Sequence, residues 1–375
     1  MTERGLLPRC RRLVVKVGSK GLSATEGGMF AVLAEQLARA RQGAPLADSA
    51  ARAKRTGKPR RDIILVSSGA IAFGVQHLGM KKRPTQMAGL QAAAAAGQGL
   101  LMQRYGEAFA KHGVKVAQVL LSHADLANRK RANNARAALN RLLELGVIPI
   151  INENDAVATD EIRFGDNDEL AAMVASLCSA ELLVLLSDVE GLLDKSNVRV
   201  PYVPTLDRAT FGLATAETSK VGRGGMRSKL ESARHATLAG SHVVIASATR
   251  DNVLGAIVAG EDVGTLFPAR SRPLRTRQHW IAYTLRPRGT VLVDDGAAKA
   301  IVRDGSSVLC VGVLGVRGGF TTGELISVTN LAGEELARGL SGLSAAEATR
   351  LAGVQGKDLA PLIHRSDLVV LPRAH

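Results

Sequence analysis

Short apolar runs alternate with longer amphipathic stretches through most of the chain. The runs are rich in Val, Ile and Leu and are bounded by turn residues, so they predict buried strands. They lie at residues 12–17, 62–66, 114–121, 147–151, 181–186 and 241–247. Strands that alternate with helices favour right-handed crossovers and a mostly parallel sheet with helices on both faces. The pattern thus predicts an α/β fold, a three-layer αβα sandwich.

Helical periodicity follows most of these strands. The predicted helices cover residues 28–41, 70–78, 84–112, 126–145, 167–179 and a stretch that ends near residue 239. The stretch 84–112 is rich in alanine, and we predict that it forms two helices that meet near Gly97 or Gly99. We interpret residues 43–60 as a surface insertion because they combine Pro, Gly and mixed charge with weak periodicity.

The pattern changes near residue 270, where residues 270–277 are rich in Arg and Pro. Beyond them, short β-like runs are separated by Gly and Asp turns. We therefore predict an α/β domain at residues 1–268, a linker at 269–284 and a small β-rich domain at 285–375. In the second domain, we expect strands at 289–293, 307–309, 311–316, 324–328 and 368–371, with helices at 297–303 and 344–351.

The composition is that of an ordinary globular protein, with 46% hydrophobic and 22% charged residues. No run approaches 18 uninterrupted apolar residues, so we predict no membrane span. The N-terminus lacks the apolar core of a secretory signal. Cys10, Cys178 and Cys310 lie far apart and outside any C-x-x-C pair, which favours a reducing cytoplasm over a disulfide framework or a zinc site.

A formal net charge of +15 raises the question of a nucleic-acid partner. The basic residues cluster at 41–61 and 270–288, which we predict to be loop or linker. A solvated basic loop and a phosphate-backbone footprint both remain open for these clusters. Aromatic residues make up only 3% of the chain, so platforms on which bases could stack are scarce.

The most polar stretch beside a predicted strand is 148–172. Its acidic and amide residues are Asn152, Glu153, Asn154, Asp155, Asp160, Glu161, Asp166, Asn167, Asp168 and Glu169. In an open parallel sheet, ligands bind outside the carboxyl ends of the strands, so this cluster predicts a binding site. An ordinary polar loop is the alternative, since Asp166 also fits the N-cap of the next helix, with Glu169 three residues on.

Two lysines stand next to glycine-bearing turns. Lys16 lies near the end of the first predicted strand, just before Gly18, and Lys229 lies about one turn into the helix that follows the loop 221–228. Both are candidates for phosphate binding, because glycine lets a backbone approach an anion and a helix start offers N–H donors. The alternatives are a snorkelling lysine and a flexible loop with a solvated lysine.

Together these features suggest transfer of a phosphoryl group. A phosphate chain and a carboxylate acceptor repel each other, so fixed positive groups such as Lys16 and Lys229 are needed to offset their charge. We expect a carboxylate of Asp166 or Asp168 to hold the lysines in place, and Mg²⁺ to lie on the nucleotide phosphates. A carboxylate acceptor is already ionised at pH 7, so no general base is required.

Six short motifs are spread over the predicted α/β domain. They are VVKVGS at 14–19, SSGAIAFG at 67–74, INENDAVA at 151–158, FGDND at 164–168, SDVEGL at 187–192 and GRGGMRSK at 222–229. Together they resemble the glutamate 5-kinases of the amino acid kinase superfamily. The resemblance covers residues 12 to about 268, and the tail resembles the PUA domain that many bacterial members carry.

The resemblance implies the amino acid kinase fold and ATP-dependent phosphorylation of the side-chain carboxylate of L-glutamate to L-glutamyl 5-phosphate, the first step of proline biosynthesis. It implies that Lys16 and Lys229 act on the ATP phosphates and that Asp168 organises both lysines. The residues expected to bind glutamate are Ser68, Gly69, Asn152, Asp155, Asp166 and Asn167. The residues expected to bind the nucleotide are Lys16, Gly18, Ser187, Asp188, Arg223, Gly224, Gly225, Met226, Arg227, Ser228 and Lys229.

The resemblance further implies Mg²⁺ without direct protein ligands, feedback inhibition by L-proline, a homodimer or homotetramer, and delivery of the product to glutamyl phosphate reductase. Ser187 replaces an expected Thr, and Arg223 and Arg227 stand where small or hydroxylic residues are usual. The alternatives are another acid kinase of the same fold, a regulatory relative that binds without turnover, and an RNA-binding PUA protein. RNA binding by the tail stays open, although the basic clusters lie outside its strands and helices.

Overall fold

The computed structural model describes residues 3–19, 28–42, 60–157, 167–214, 225–271, 273–274, 276–356 and 359–371. The chain forms two compact units, Met1–Pro273 and Leu274–His375. Apart from Arg60, the predicted insertion 43–60 lies outside the described residues. None of the described helices combines the length and the apolar character needed to cross a membrane.

A seven-stranded sheet forms the centre of the first unit. Its strands are β1 (Arg12–Val17), β2 (Asp62–Ser67), β3 (Val116–Leu121), β4 (Ile148–Glu153), β5 (Leu182–Ser187), β6 (His242–Ser247) and β7 (Thr265–Phe267). Their spatial order is β3-β4-β2-β1-β5-β6-β7. Strands β1 to β6 pair in parallel, and β7 runs antiparallel beside β6. The predicted mostly parallel sheet is confirmed.

Helices cover both faces of this sheet. They are α1 (Gly28–Gln42), α2 (Ala70–His77), α3 (Met87–Ala110), α4 (His123–Ala127), α5 (Arg129–Glu144), α6 (Asn167–Leu177), α7 (Arg208–Leu213), α8 (Met226–Leu238) and α9 (Val253–Ala259). Because side chains alternate along a strand, Leu13 and Val15 pack with α1, α3 and α9, whereas Val14 packs with α5, α6 and α8. The sheet and the helices on its two faces thus form the three layers that the sequence predicts.

Helix α3 is continuous, so the prediction of two helices meeting near Gly97 or Gly99 is wrong. Gly97 lies where α3 crosses α2, and a Cβ atom there would stand 1.9 Å from the backbone oxygen of Ala70. A Cβ atom on Gly74 of α2 would stand 1.7 Å from the backbone oxygen of Ala93. These glycines therefore permit a close approach of two helices and do not end one.

The predicted helix 126–145 consists of two helices, α4 and α5. Asn128 adopts an extended conformation between them. Its side-chain oxygen accepts hydrogen bonds from the N–H groups of Lys130 and Arg131, both at 3.1 Å, and so caps α5.

The second unit contains a five-stranded sheet, and its predicted β-rich character is confirmed. Its strands are β8 (Gly289–Val293), β9 (Val313–Gly318), β10 (Leu325–Thr329), β11 (Glu335–Leu340) and β12 (Leu368–Val370), and its helices are α10 (Thr276–His279), α11 (Asp295–Asp304) and α12 (Ala345–Leu351). The strand order is β12-β11-β10-β8-β9. Strand β11 was not predicted, because its sequence ELARGL lacks β-branched residues and its pairing with β10 and β12 decides its conformation. The prediction of a strand at 307–309 is wrong, because only Val308 pairs there, in an isolated bridge with Ile363.

Candidate active site

The carboxyl ends of four neighbouring strands, β4, β2, β1 and β5, lie side by side in the sheet. The register pairs Val17 of β1 with Ser67 of β2, and Val66 of β2 with Ile151 of β4. Asn152, which follows Ile151, therefore stands level with Ser67. The polar groups that end these strands are thus brought to one edge of the sheet, where ligands bind in open parallel sheets.

Three charged side chains from different elements form one cluster, with Asp168 between two lysines. Lys16 shares a strand face with Val14, because alternate residues point the same way, and that face packs against α6 and α8. Asp168 lies in the first turn of α6, and Lys229 lies one turn into α8. Lys16 Nζ is 2.5 Å from Asp168 Oδ1, and Lys229 Nζ donates a hydrogen bond of 2.9 Å to Asp168 Oδ2. The carboxylate thus holds one ammonium group on each oxygen.

The electrostatics of this cluster keep Asp168 ionised. Asp168 is fully buried, and both lysine side chains are less than a tenth exposed. Burial by itself would raise the pKa of Asp168, but the charges and hydrogen bonds of Lys16 and Lys229 outweigh it and lower the pKa to about 2. The first turn of a helix also favours a negative charge. Two positive charges are therefore fixed beside the strand ends at neutral pH.

The turn after β1 and the start of α8 are suited to phosphate oxygens. A Cβ atom on Gly18 would stand 3.8 Å from Lys16 Nζ, so the turn backbone passes close to the positive charge. Helix α8 begins at Met226 after Gly225, which supplies no side-chain cap. The first N–H groups of a helix lack intrahelical partners, and phosphate oxygens are common acceptors for them.

The other described nucleotide candidates lie at the end of β5 and in the first turn of α8. Ser187 ends β5, and its hydroxyl donates a hydrogen bond of 3.0 Å to Asp188 Oδ1. Ser228 is half-buried in the first turn of α8, whereas Arg227 is exposed to solvent. The candidates that lie outside the described residues are Arg223 and Gly224 for the nucleotide and Asp166 for glutamate, so the capping role of Asp166 stays a prediction.

Amide hydrogen bonds join the glutamate candidates. Asn167, the first residue of α6, donates from Nδ2 to the backbone oxygen of Ser67 at 2.5 Å. The same nitrogen lies 3.0 Å from Ser68 Oγ and 2.8 Å from Asn152 Oδ1. Asn152 and Asn167 are both buried. Three of the residues that the motifs single out for glutamate, Ser68, Asn152 and Asn167, therefore form one cluster. Asn167 is next to Asp168 in the chain.

Gly69 places the start of α2 beside this cluster. Its φ of 112° lies in the left-handed region, which favours glycine. Gly69 supplies no side-chain cap, so it does not occupy the first N–H groups of α2. The close crossing with α3 at Gly97 fixes this end of the helix.

Asp155 begins a short 3₁₀ helix, Asp155–Val157, just after β4. Burial raises the pKa of Asp155 to about 6, and the positive charge of Arg83 offsets part of that effect. A carboxylate in this environment gains from a cationic partner, and the ammonium group of an amino acid is such a partner.

Two residues of α3 that the sequence analysis did not single out also belong to the cluster. Gln98 Oε1 accepts a hydrogen bond of 2.8 Å from Asn152 Nδ2, and the hydroxyl of Tyr105 lies 2.8 Å from Ser67 Oγ. Both side chains are buried. The available signal is a glutamine and a tyrosine on the inward face of an alanine-rich helix.

Comparisons with known proteins agree with this architecture. The sequence matches the amino acid kinase family over residues 11–247 and the PUA domain over residues 289–361. It is 43% identical to the glutamate 5-kinase of Methylobacillus flagellatus, over 98% of this chain and 99% of that protein. It is 42% identical to the glutamate 5-kinase of Pelobacter propionicus, over 98% of this chain and 100% of that protein.

A solved structure of N-acetylglutamate synthase from Neisseria gonorrhoeae, complexed with coenzyme A and N-acetyl-glutamate, aligns with a TM-score of 0.51. The alignment covers 72% of this chain and 63% of that protein's chain, at 19% sequence identity. At that identity, the likeness shows a shared fold alone.

Proposed function

The chain belongs to the amino acid kinase family and, within it, to the glutamate 5-kinases, and we propose that Lys16, Asp168 and Lys229 carry out its ATP-dependent phosphorylation of the L-glutamate side chain. The product is L-glutamyl 5-phosphate, which opens proline biosynthesis. The observation that carries the proposal is the buried carboxylate of Asp168 with a lysine ammonium group on each oxygen.

The reaction brings two anions together. An oxygen of the glutamate carboxylate attacks the γ-phosphorus of ATP, the bond from that phosphorus to the bridging oxygen breaks, and ADP leaves with the electron pair. Lys16 and Lys229 offset the negative charge on the transferred oxygens and on the leaving group. Because Asp168 fixes both ammonium groups in advance, little reorganisation is needed at the moment of transfer.

The glutamate side of the proposal rests on the amide cluster. The proposed set is Ser68, Gly69, Asn152, Asp155, Asp166 and Asn167. Ser68 Oγ lies 3.0 Å from Asn167 Nδ2, which can only donate, so the hydrogen of the Ser68 hydroxyl is left to donate to a substrate carboxylate. Asp155 is suited to the α-amino group, since an ammonium partner offsets the cost of its burial.

The nucleotide side of the proposal uses Gly18, Ser187, Asp188, residues 223–225 and the first turn of α8, residues 226–229, together with Lys16. Among the described residues, no three His, Cys, Asp or Glu side chains form a group that could hold a metal ion. Asp168 already binds an ammonium group on each oxygen. This donor set fits Mg²⁺ that enters on the ATP phosphates, where the cation would neutralise phosphate charge.

Regulation, assembly and location complete the proposal. L-proline carries an amino and a carboxylate group on one carbon, as L-glutamate does, so the glutamate site is suited to feedback inhibition by it. Cys10, Cys178 and Cys310 are buried and form no disulfide, which agrees with a reducing cytoplasm. The family resemblance further supports a homo-oligomer, either a dimer or a tetramer. It also supports delivery of the acyl phosphate to glutamyl phosphate reductase.

The substitution Lys229→Met tests the assignment. We expect it to lower the rate of hydroxylamine-trapped product by about 100-fold or more, because one charge that stabilises the transition state is lost. Calorimetry should show that L-glutamate still binds. Lys195→Met, at an exposed lysine, is the matched control and should leave the rate unchanged. An unchanged rate in Lys229→Met would remove the assigned role.

A further inference from the structure

Gln98 links the glutamate candidates to the interior of the first unit. It lies in the middle of α3 and is 9% exposed. Its Oε1 accepts a hydrogen bond of 2.8 Å from Asn152 Nδ2, and its Nε2 lies 3.4 Å from Oε1 of Gln118 on β3. No motif of the sequence points to this residue, and the mechanism above does not use it.

The backbone determines which end of each amide is which. The N–H of Glu153 can only donate, and it bonds to Asn152 Oδ1 at 3.0 Å. The backbone oxygen of Ser67 can only accept, and it bonds to Asn167 Nδ2. Asn152 must therefore turn Nδ2 toward Gln98, and Gln98 must present its oxygen. The orientation of Gln98 is thus dictated by the chain and is not a free choice of rotamer.

The orientation of these amides determines which atom of Asn152 is available to a ligand. Its Oδ1 is occupied by Glu153 N–H and Asn167 Nδ2, and one hydrogen of its Nδ2 is occupied by Gln98. Within the part of the chain that the structure describes, the second hydrogen of Nδ2 has no acceptor. That hydrogen is a donor, as is the Ser68 hydroxyl, and both residues contact Asn167 Nδ2. Two such donors match a carboxylate.

We propose that Gln98 is a positioning residue for glutamate: its Oε1 fixes the Asn152 amide so that the remaining N–H can donate to a carboxylate oxygen of the substrate. The inference rests on the proposed role of Asn152 in glutamate binding. Glu153 N–H and Asn167 Nδ2 hold the oxygen of the Asn152 amide and prevent a full flip. Without the Gln98 oxygen, Asn152 Nδ2 loses its buried acceptor, so the plane of the amide can tilt and its remaining N–H no longer has a fixed direction.

The substitution Gln98→Met removes the acceptor while keeping the length and the helix propensity of the side chain. We expect the KM for L-glutamate to rise at least about 10-fold, the usual order for one lost hydrogen bond to a charged group. The KM for ATP should stay within about twofold. Gln103→Met, on the exposed face of the same helix, is the matched control and should change neither constant.

A conservative variant separates positioning from packing. Gln98→Glu keeps an oxygen for Asn152, so its KM for glutamate, relative to wild type at each pH, should be near normal where the new carboxyl is protonated. The relative KM should rise with pH, because the ionised carboxylate repels the substrate carboxylates. A residue that only fills space would show no such profile.

The outcomes distinguish this inference from the proposed function. If Asn152→Ala raises the KM for glutamate but Gln98→Met does not, the positioning role is wrong and the site assignment stands. A lower Tm together with similar increases of both KM values in Gln98→Met, and no pH profile in Gln98→Glu, would also overturn the positioning role of Gln98. If Asn152→Ala leaves the KM for glutamate unchanged, the assignment of Asn152 fails and the inference falls with it.

Discussion

Replacing Asp168 by Asn is the most informative perturbation of the site. The change keeps the shape of the side chain and removes the charge that faces two ammonium groups, one 2.5 Å and one 2.9 Å from its oxygens. For two unit charges at a separation of roughly 6 Å, the repulsion is roughly 3 kcal/mol at an effective dielectric constant of about 20. That value agrees with the cost of about 3–5 kcal/mol for removing one partner of a buried ion pair.

The protein can relieve this repulsion by moving one lysine away from its place beside residue 168. The rate of ADP release with saturating ATP and L-glutamate should therefore fall by about 100-fold or more at pH 7.5, because the two positive charges are misplaced.

The assay is the initial rate at pH 7.5, with Tm measured under the same conditions to show that the variant is folded. Asp251→Asn makes the same chemical change at an exposed position and should behave as wild type. A wild-type rate in folded Asp168→Asn would refute the claim that this carboxylate organises the two lysines.

Three further predictions concern glutamate binding, helix packing and stability. Since burial raises the pKa of Asp155 to about 6, the KM for glutamate should rise as pH falls through 6, and Asp155→Asn should abolish this dependence by weakening binding above pH 6. Gly97→Ala should lower the free energy of unfolding by about 1–3 kcal/mol or more, because its Cβ would lie 1.9 Å from the Ala70 oxygen. Gly99→Ala, with open space around its Cβ, should raise that free energy by up to about 1 kcal/mol. Urea denaturation measures the free energy of unfolding of both variants. Burial lowers the pKa of His242, so the unfolded state takes up the proton first and stability should fall as pH drops below roughly 6.5. His242→Gln should show a smaller slope.

The strands and most helices could be predicted because their apolar periodicity is strong and local. Residues 12–17 and 289–293 were predicted with the bounds of the strands that form there. Helix α3 was divided wrongly because Gly97 serves its contact with α2, and that contact is invisible in the sequence of α3 alone. Strand β11 was missed because its two neighbours, and not its own residues, make it a strand.

The candidate site could be predicted from the sequence only in part. Lys16 and Lys229 stand beside glycines, and Asp168 lies in a polar run, so the residue types that bind phosphate could be recognised. The sequence could not give the distances between these residues, since they depend on which strand faces point toward α6 and α8. Gln98 carries no local signal, because its role exists only through a hydrogen bond to a residue 54 positions away.

ATP turnover with one acid at a time tests the central claim most directly. The protein would be supplied with ATP, Mg²⁺ and, in turn, L-glutamate, L-aspartate or N-acetyl-L-glutamate, and any acyl phosphate would be trapped with hydroxylamine. The account predicts hydroxamate with L-glutamate alone. Folded protein that binds ATP but forms no hydroxamate with L-glutamate, or forms as much with either of the other acids, would contradict it.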